Sequence, residues 1–198
     1  LYAIVRRWLE ASGMTRAQAG RRCLVITDQG TPLEKLRQRD LMRMTLSAPQ
    51  TVGGRYSALS MFGLAPAALI GVHLPSLIAR AEAMERACEA PAAENPAALL
   101  AAWMTDAYEA GKDKLTLVFS ERFASLGLWI EQLVAESLGK DGRGLVPVIE
   151  YEPATAAGYG SDRAVVVVRL TDDEALESWS RDRADAHPVF EVTVTDVF

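Results

Sequence analysis

The chain has 198 residues, 49% of them hydrophobic and 24% charged, with a formal net charge of -5. That supply of apolar side chains fills the core of one large domain or two small ones and excludes a disordered chain. The negative balance gives no long-range attraction for nucleic acid or an anionic membrane, so an anionic ligand must be held by a local cluster of cations and backbone amides. The two cysteines, Cys23 and Cys88, lack the spacing of a zinc site or a disulfide framework and read as free thiols in a reducing cytoplasm. No apolar run approaches the roughly 20 residues that span a bilayer, and the N-terminus lacks the succession of a signal peptide. The chain is therefore expected to be soluble and cytoplasmic, with neither a nucleic-acid nor a membrane partner. Its start at Leu1, without an initiator methionine, and its stop at Phe198 read as cuts inside a larger protein.

Residues Leu1 to Ala11 repeat apolar positions at helical spacing (Ile4, Val5, Trp8, Leu9), and Cys23 to Thr27 is a short buried-strand run ended by Asp28 and Gly30. A second helix fits Pro32 to Arg39, with proline at a tolerated first-turn position, and Met42 to Leu46 gives a second strand closed by Pro49. From Ala58 to Trp103, breaks at Gly71, Pro75, Pro91 and Pro96 divide an Ala-, Leu- and Met-rich stretch into three or four helices, with a loop around Cys88 to Pro96. Alternation then resumes: strand Leu115 to Phe119, helix Leu126 to Leu138, strand Leu145 to Tyr151, strand Ala164 to Leu170, helix Asp173 to Asp182 and strand Val189 to Val194. Such alternation predicts an α/β fold with parallel sheets covered by helices. The predicted division is 1–104 for a partial first unit with connecting helices and 105–198 for a more complete second one.

Chemistry concentrates in two places. Val52-Gly53-Gly54-Arg55-Tyr56-Ser57 lies between a strand and a helix, where glycines allow close backbone approach, a helix start offers unpaired N–H groups, and Arg55 adds a permanent cation. That is an anion or oxyanion site, or a tight turn with a surface arginine. On the helix Leu126 to Leu138, the apolar stripe is Leu126, Trp129, Ile130, Leu133 and Val134, while Gln132 and Glu136 stand four apart beside it. Glu136 falls in the last turn, where the negative end of the helix dipole disfavours its charged form. It is either a positioned base or a solvated surface acid. His73 and His187 read as structural or solvated, Gly142-Arg143-Gly144 as the turn into the next strand, and Asp172-Asp173-Glu174 as a helix cap rather than a metal site. No dinucleotide, Walker, zincin or nucleophile-elbow motif is present in the sequence.

Ile26-Thr27-Asp28, Val52 to Ser57 with Gly63-Leu64-Ala65-Pro66-Ala67-Ala68, Trp129 to Gln132, and Glu136-Ser137-Leu138-Gly139-Lys140 occur in the order and approximate separation found in glucose-6-phosphate isomerases. The chain resembles that family over most of its length, thinning between Ala79 and Lys112. Its tail, Tyr159-Gly160-Ser161-Asp162-Arg163 and the following strand, is more similar to the isomerase half of fused transaldolase/isomerase proteins. The resemblance implies paired sugar-isomerase (SIS) domains, one nearly complete here and one partial, in a homodimer acting on a sugar phosphate without metal or cofactor. It also implies roles: Glu136 as the base that moves a proton between C2 and C1 through a cis-enediol, Arg55 as the cation stabilising the developing oxyanion, and Gly54 and Gln132 as substrate-binding residues. No histidine matches the family's ring-opening histidine, since Gly158-Tyr159-Gly160 stands near its place. The alternative function is a sugar-phosphate-binding regulatory module without turnover, for which a carbon base such as Glu136 has no use.

Overall fold

The computed structural model describes residues 1–152 and 158–196, and contacts divide the chain into two compact units, Leu1–Pro75 and Ser76–Phe198. The first unit runs α1 (Tyr2–Ala11), α2 (Arg16–Arg21), β1 (Val25–Thr27), α3 (Pro32–Arg39), β2 (Thr45–Ser47), a 3-10 helix (Gly54–Leu59) and α4 (Met61–Leu69). Thr15 starts α2 with a reciprocal cap: its hydroxyl accepts from the Gln18 amide at 3.3 Å, and the Gln18 side-chain oxygen accepts from the Thr15 amide at 2.8 Å. Such a cap satisfies two of the donors a helix start leaves unpaired. Pro32 opens α3 where its missing N–H is harmless.

β1 and β2 are parallel, with Val25 opposite Thr45. Both begin later than their apolar runs predict. Leu41 adopts a left-handed φ of 52° as the chain leaves α3, so Met42 to Met44 are spent turning into the sheet before regular pairing starts. At the centre of this unit Asp40 is buried. It accepts hydrogen bonds from Arg6 at 3.2 Å, from Arg39 at 3.1 Å and from Arg16. The Arg39 and Arg16 guanidinium groups hold the Asp40 carboxyl well below the usual carboxylate range, against the opposing effect of burial. The apolar face of α1 is not part of the core of this unit: Ile4 and Trp8 are each 70% exposed.

The second unit takes in most of α5 (Leu74–Cys88), then α6 (Pro96–Glu109), β3 (Lys114–Phe119), α7 (Leu126–Leu138), β4 (Val146–Glu150), β5 (Arg163–Leu170), α8 (Glu174–Arg183) and β6 (Val189–Val194). Its strands form one sheet in the order β4-β3-β5-β6, every pair parallel. Alternation along β3 and β5 gives the sheet two apolar faces, as expected when helices cover both sides. Leu115, Leu117, Phe119 and Val166 pack with Val134 of α7 and with Leu100, Trp103 and Met104 of α6. On the opposite face Val118, Val165 and Val167 pack with Leu176 of α8. α6 is thus built into this core through Leu100, Trp103 and Met104.

Gly127 sets how closely α7 approaches the sheet, since a Cβ there would stand 2.8 Å from Ile149 Cγ2. On the other side of the unit, Arg169 ties α8 to two strands. It bonds Glu191 of β6 at 2.7 Å and approaches Glu177 of α8 at 3.4 Å. Burial pushes the Glu191 carboxyl up, but hydrogen bonds from Arg169 and Ser180 outweigh it, and the net shift is downward.

Candidate functional site

The chain leaves β2 and enters the Val52 to Ser57 segment, where Gly53 has extended geometry (φ -63°, ψ 152°) and precedes the 3-10 helix. The turn is braced from within. The Ser57 hydroxyl donates to the Gly54 carbonyl at 2.6 Å, and the Ser60 hydroxyl donates to the Ser57 carbonyl at 2.7 Å while accepting from the Phe62 amide at 3.2 Å. Half-buried Arg55 holds its guanidinium carbon 5.0 Å from the centre of the Tyr56 ring, a cation–π distance that limits its rotamers without neutralising it. At Gly54 a Cβ would meet nothing within 4 Å, and its φ is not in the left-handed region. The fold itself does not require glycine at Gly54. A side chain there would instead fill the space in front of the backbone.

On α7, Gln132 donates to Glu136 Oε1 at 3.1 Å, and both residues are exposed. The i,i+4 geometry expected from sequence is thus present. Of the apolar stripe, Leu126 and Ile130 pack on the core and Val134 is buried, Leu133 is half-buried, and Trp129 is 39% exposed. Close approach at Gly127 turns the inward arc toward Leu126, Ile130 and Val134, and Trp129 falls on its edge.

A hairpin follows directly after Glu136. Lys140 and Arg143 exchange both backbone bonds, at 2.8 and 2.9 Å, around Asp141 and Gly142 with φ of 53° and 75°. Positive φ at both central residues is a type I′ turn, for which Asp-Gly is a favoured pair. The sequence reading placed a turn at Gly142 to Gly144, and its centre lies one residue earlier. Gly144 completes the device: at φ 151° it folds back on the end of α7, and a Cβ would stand 2.8 Å from Gly139 Cα and 3.0 Å from the Leu138 carbonyl oxygen. Neither neighbour is a flexible side-chain tip. Gly144→Ala is expected to lower stability by about 1–3 kcal/mol, read as a lower urea midpoint at unchanged slope. An unchanged midpoint would show that the hairpin does not hold the helix end.

Tyr159, near the position where the family's histidine is expected, is pinned rather than poised. Its hydroxyl donates to Glu150 at 3.3 Å, its ring meets Trp179 and His187 edge-on, and the Arg163 guanidinium carbon lies 5.0 Å from the ring centre. Burial, then the charge and hydrogen bond of Glu150, push the phenol up to about 12. Asp173 caps α8 as expected, accepting from the Leu176 amide at 3.0 Å, and its other oxygen accepts from the Ser120 hydroxyl at 2.6 Å. That second bond, between residues 53 apart, had no local signal in the sequence. Among the described residues no group of acidic, Cys or His side chains is arranged to hold a metal ion, and no helix is long and apolar enough to cross a membrane.

The structure therefore pairs Gln132 with Glu136 in the second unit and sets Gly54 beside Arg55 in the first. Parallel strands with helices on both faces, carrying chemistry at turns and helix ends, define an open-sheet α/β protein. The chain belongs to the phosphoglucose isomerase family, whose model, described as Phosphoglucose isomerase, matches residues 4–156. Arg55, Gln132 and Glu136 fall inside that match, and Tyr159 to Arg163 outside it. The chain is 35% identical over 150 residues to the glucose-6-phosphate isomerase of Parabacteroides distasonis, covering 74% of this chain and 33% of that protein. It is 36% identical over 148 residues to a probable glucose-6-phosphate isomerase of Haloarcula marismortui, with the same coverage of each chain. A match to the enzyme of Rubrobacter xylanophilus reaches 41% over 106 residues, covering 52% of this chain and 24% of that one. The chain thus spans about a third or less of the length of these curated relatives. A crystal structure of a hypothetical protein from Thermus thermophilus superposes with a TM-score of 0.83 at 24% identity, covering 98% of this chain and 56% of that one. At that identity it shows the shared α/β fold.

Proposed function

We propose that the protein containing this chain is an aldose–ketose isomerase that interconverts glucose 6-phosphate and fructose 6-phosphate, in glycolysis and gluconeogenesis. The observation that carries the reading is the exposed Glu136 carboxylate at the end of α7, held by Gln132. It falls within a family match that also contains Arg55. In this reading Glu136 removes the proton from C2 of the open-chain sugar phosphate and returns it at C1. Arg55 stabilises the oxygen of the cis-enediol while it carries negative charge, and neither step calls on a cofactor. Gln132 fixes the carboxylate rotamer and contacts substrate beside it.

Residues 1–104 are assigned to the first SIS domain with its connecting helices and 105–198 to the second. The tail's likeness to fused proteins supports an attached transaldolase domain. Two half-buried free thiols support a reducing, cytoplasmic location, and a homodimer follows from the family. The substrate-facing role of Gly54 has its own test. Gly54→Ala is expected to leave the unfolding free energy in urea within about 0.5 kcal/mol of wild type, because a Cβ there meets nothing within 4 Å. In a coupled assay of fructose 6-phosphate conversion by the full-length protein, the same change is expected to lower kcat/KM at least about tenfold by obstructing substrate. Unchanged kcat/KM would remove Gly54 from the site. A full-length protein that binds the sugar phosphate without converting it would instead be a regulatory module.

A further inference from the structure

Residues 1–43 carry nine Lys and Arg against four Asp and Glu, in a chain whose overall formal charge is -5. Three of those arginines, Arg6, Arg16 and Arg39, are paired with Asp40. Three others, Arg21, Arg37 and Arg43, converge on a concavity of about 450 Å³ that Gln38, Leu41 and Met42 complete. The volume lies in the range of small-molecule sites, roughly 300–1,000 Å³. Among the described residues none of the three has a carboxylate at salt-bridge distance. Arg37 Nε is shut off from solvent and has no hydrogen-bond acceptor, although a buried guanidinium donor ordinarily finds one. Arg43 Nε is spent on the Arg21 backbone carbonyl at 3.2 Å, which holds the Arg43 side chain against the end of α2.

Helix C-termini attract cations, and that accounts for Arg21 and Arg37 singly, each in the last turn of its helix. It does not account for their convergence with Arg43, which leads into β2. Leu41, at φ 52°, closes α3 as its left-handed end residue, with the Leu41 and Met42 amides donating back to the Gln38 and Arg37 carbonyls at 3.4 and 3.0 Å. We propose that this concavity is a second anion site, taking a small phosphorylated compound through Arg21, Arg37 and Arg43. Planar guanidinium groups match phosphate oxygens in number and geometry. The site lies at the amino ends of β1 and β2, whereas the Gly54 and Arg55 turn follows the carboxyl end of β2, so the two anion sites of this unit are separate.

The test is calorimetric titration of the full-length protein with inorganic pyrophosphate at low ionic strength, comparing wild type, Arg37→Gln/Arg43→Gln and Arg55→Gln. The double substitution is expected to weaken pyrophosphate binding at least about tenfold with isomerase activity unchanged, and Arg55→Gln is expected to leave this binding in place. In the wild-type protein, pyrophosphate is also expected to shift the Arg37 Nε–Hε NMR resonance, a readout independent of whether the double variant folds. Absence of binding, binding abolished by Arg55→Gln alone, or an unmoved Arg37 resonance at saturation would each overturn the site.

Discussion

Glu136→Gln is expected to lower kcat for fructose 6-phosphate conversion by about 10²–10⁴-fold, the usual contribution of a positioned general base, with KM changed by less than about threefold. An amide keeps the size and hydrogen-bonding reach of the carboxylate but cannot carry the proton. Stability gives the contrast. Glu136 sits in the last turn of α7, where the dipole opposes an anion, so the unfolding free energy of the variant in urea is expected to stay level or rise by a few tenths of a kcal/mol. Its hydrogen bond from Gln132 joins two exposed side chains, and exposed pairs of this kind contribute little. A residue that stabilises nothing and abolishes turnover on removal is functional. A variant that loses stability and activity together would make Glu136 a structural residue.

Asp40→Asn is the largest expected change in stability. The Asp40 side chain is fully buried and receives Arg6, Arg16 and Arg39, so an amide removes the anion these three guanidinium groups share and leaves Arg6 with Glu10 at 3.5 Å. Breaking a buried pair from one side costs about 3–5 kcal/mol. Because Arg16 and Arg39 are more than half exposed and can turn to water, about 2–3 kcal/mol is expected. The pH dependence has a definite sign. Arg39 and Arg16 lower the folded pKa of Asp40 below its unfolded value, so its contribution is complete above about pH 4–5, near the unfolded carboxylate value. As pH falls from there toward the depressed folded value, the unfolded chain binds a proton first, and the contribution is lost. Urea midpoints of wild type and variant are therefore expected to differ by a constant amount from about pH 5 to 8 and to converge in acid. A gap that widens in acid would contradict the buried anion.

The α/β alternation was legible because each element carried a periodic or apolar signal: β3 and β5 as short apolar runs, α7 as a stripe with Gln132 and Glu136 beside it. Strand starts at Cys23 and Met42 were misplaced because hydrophobicity reports burial and not pairing, and Met42 is buried while still outside β2. Asp40 carries no local signal of its role, since its arginines come from 34 and 24 residues upstream as well as next door. Asp141-Gly142 was the missed local signal, a dipeptide whose favoured turn fixes the hairpin behind Glu136. The site's chemistry was visible as residue types, but Gly54's open surroundings and Tyr159's anchoring are products of packing that no local pattern encodes.

The most direct measurement incubates the full-length protein with fructose 6-phosphate in D₂O and follows deuterium at C1 and C2 by NMR, for wild type and Glu136→Gln. An enediol formed by Glu136 predicts deuterium entering at these carbons alongside glucose 6-phosphate formation, and both processes lost in the variant. Exchange or conversion that persists at the wild-type rate in Glu136→Gln would contradict the assignment of Glu136 as the base.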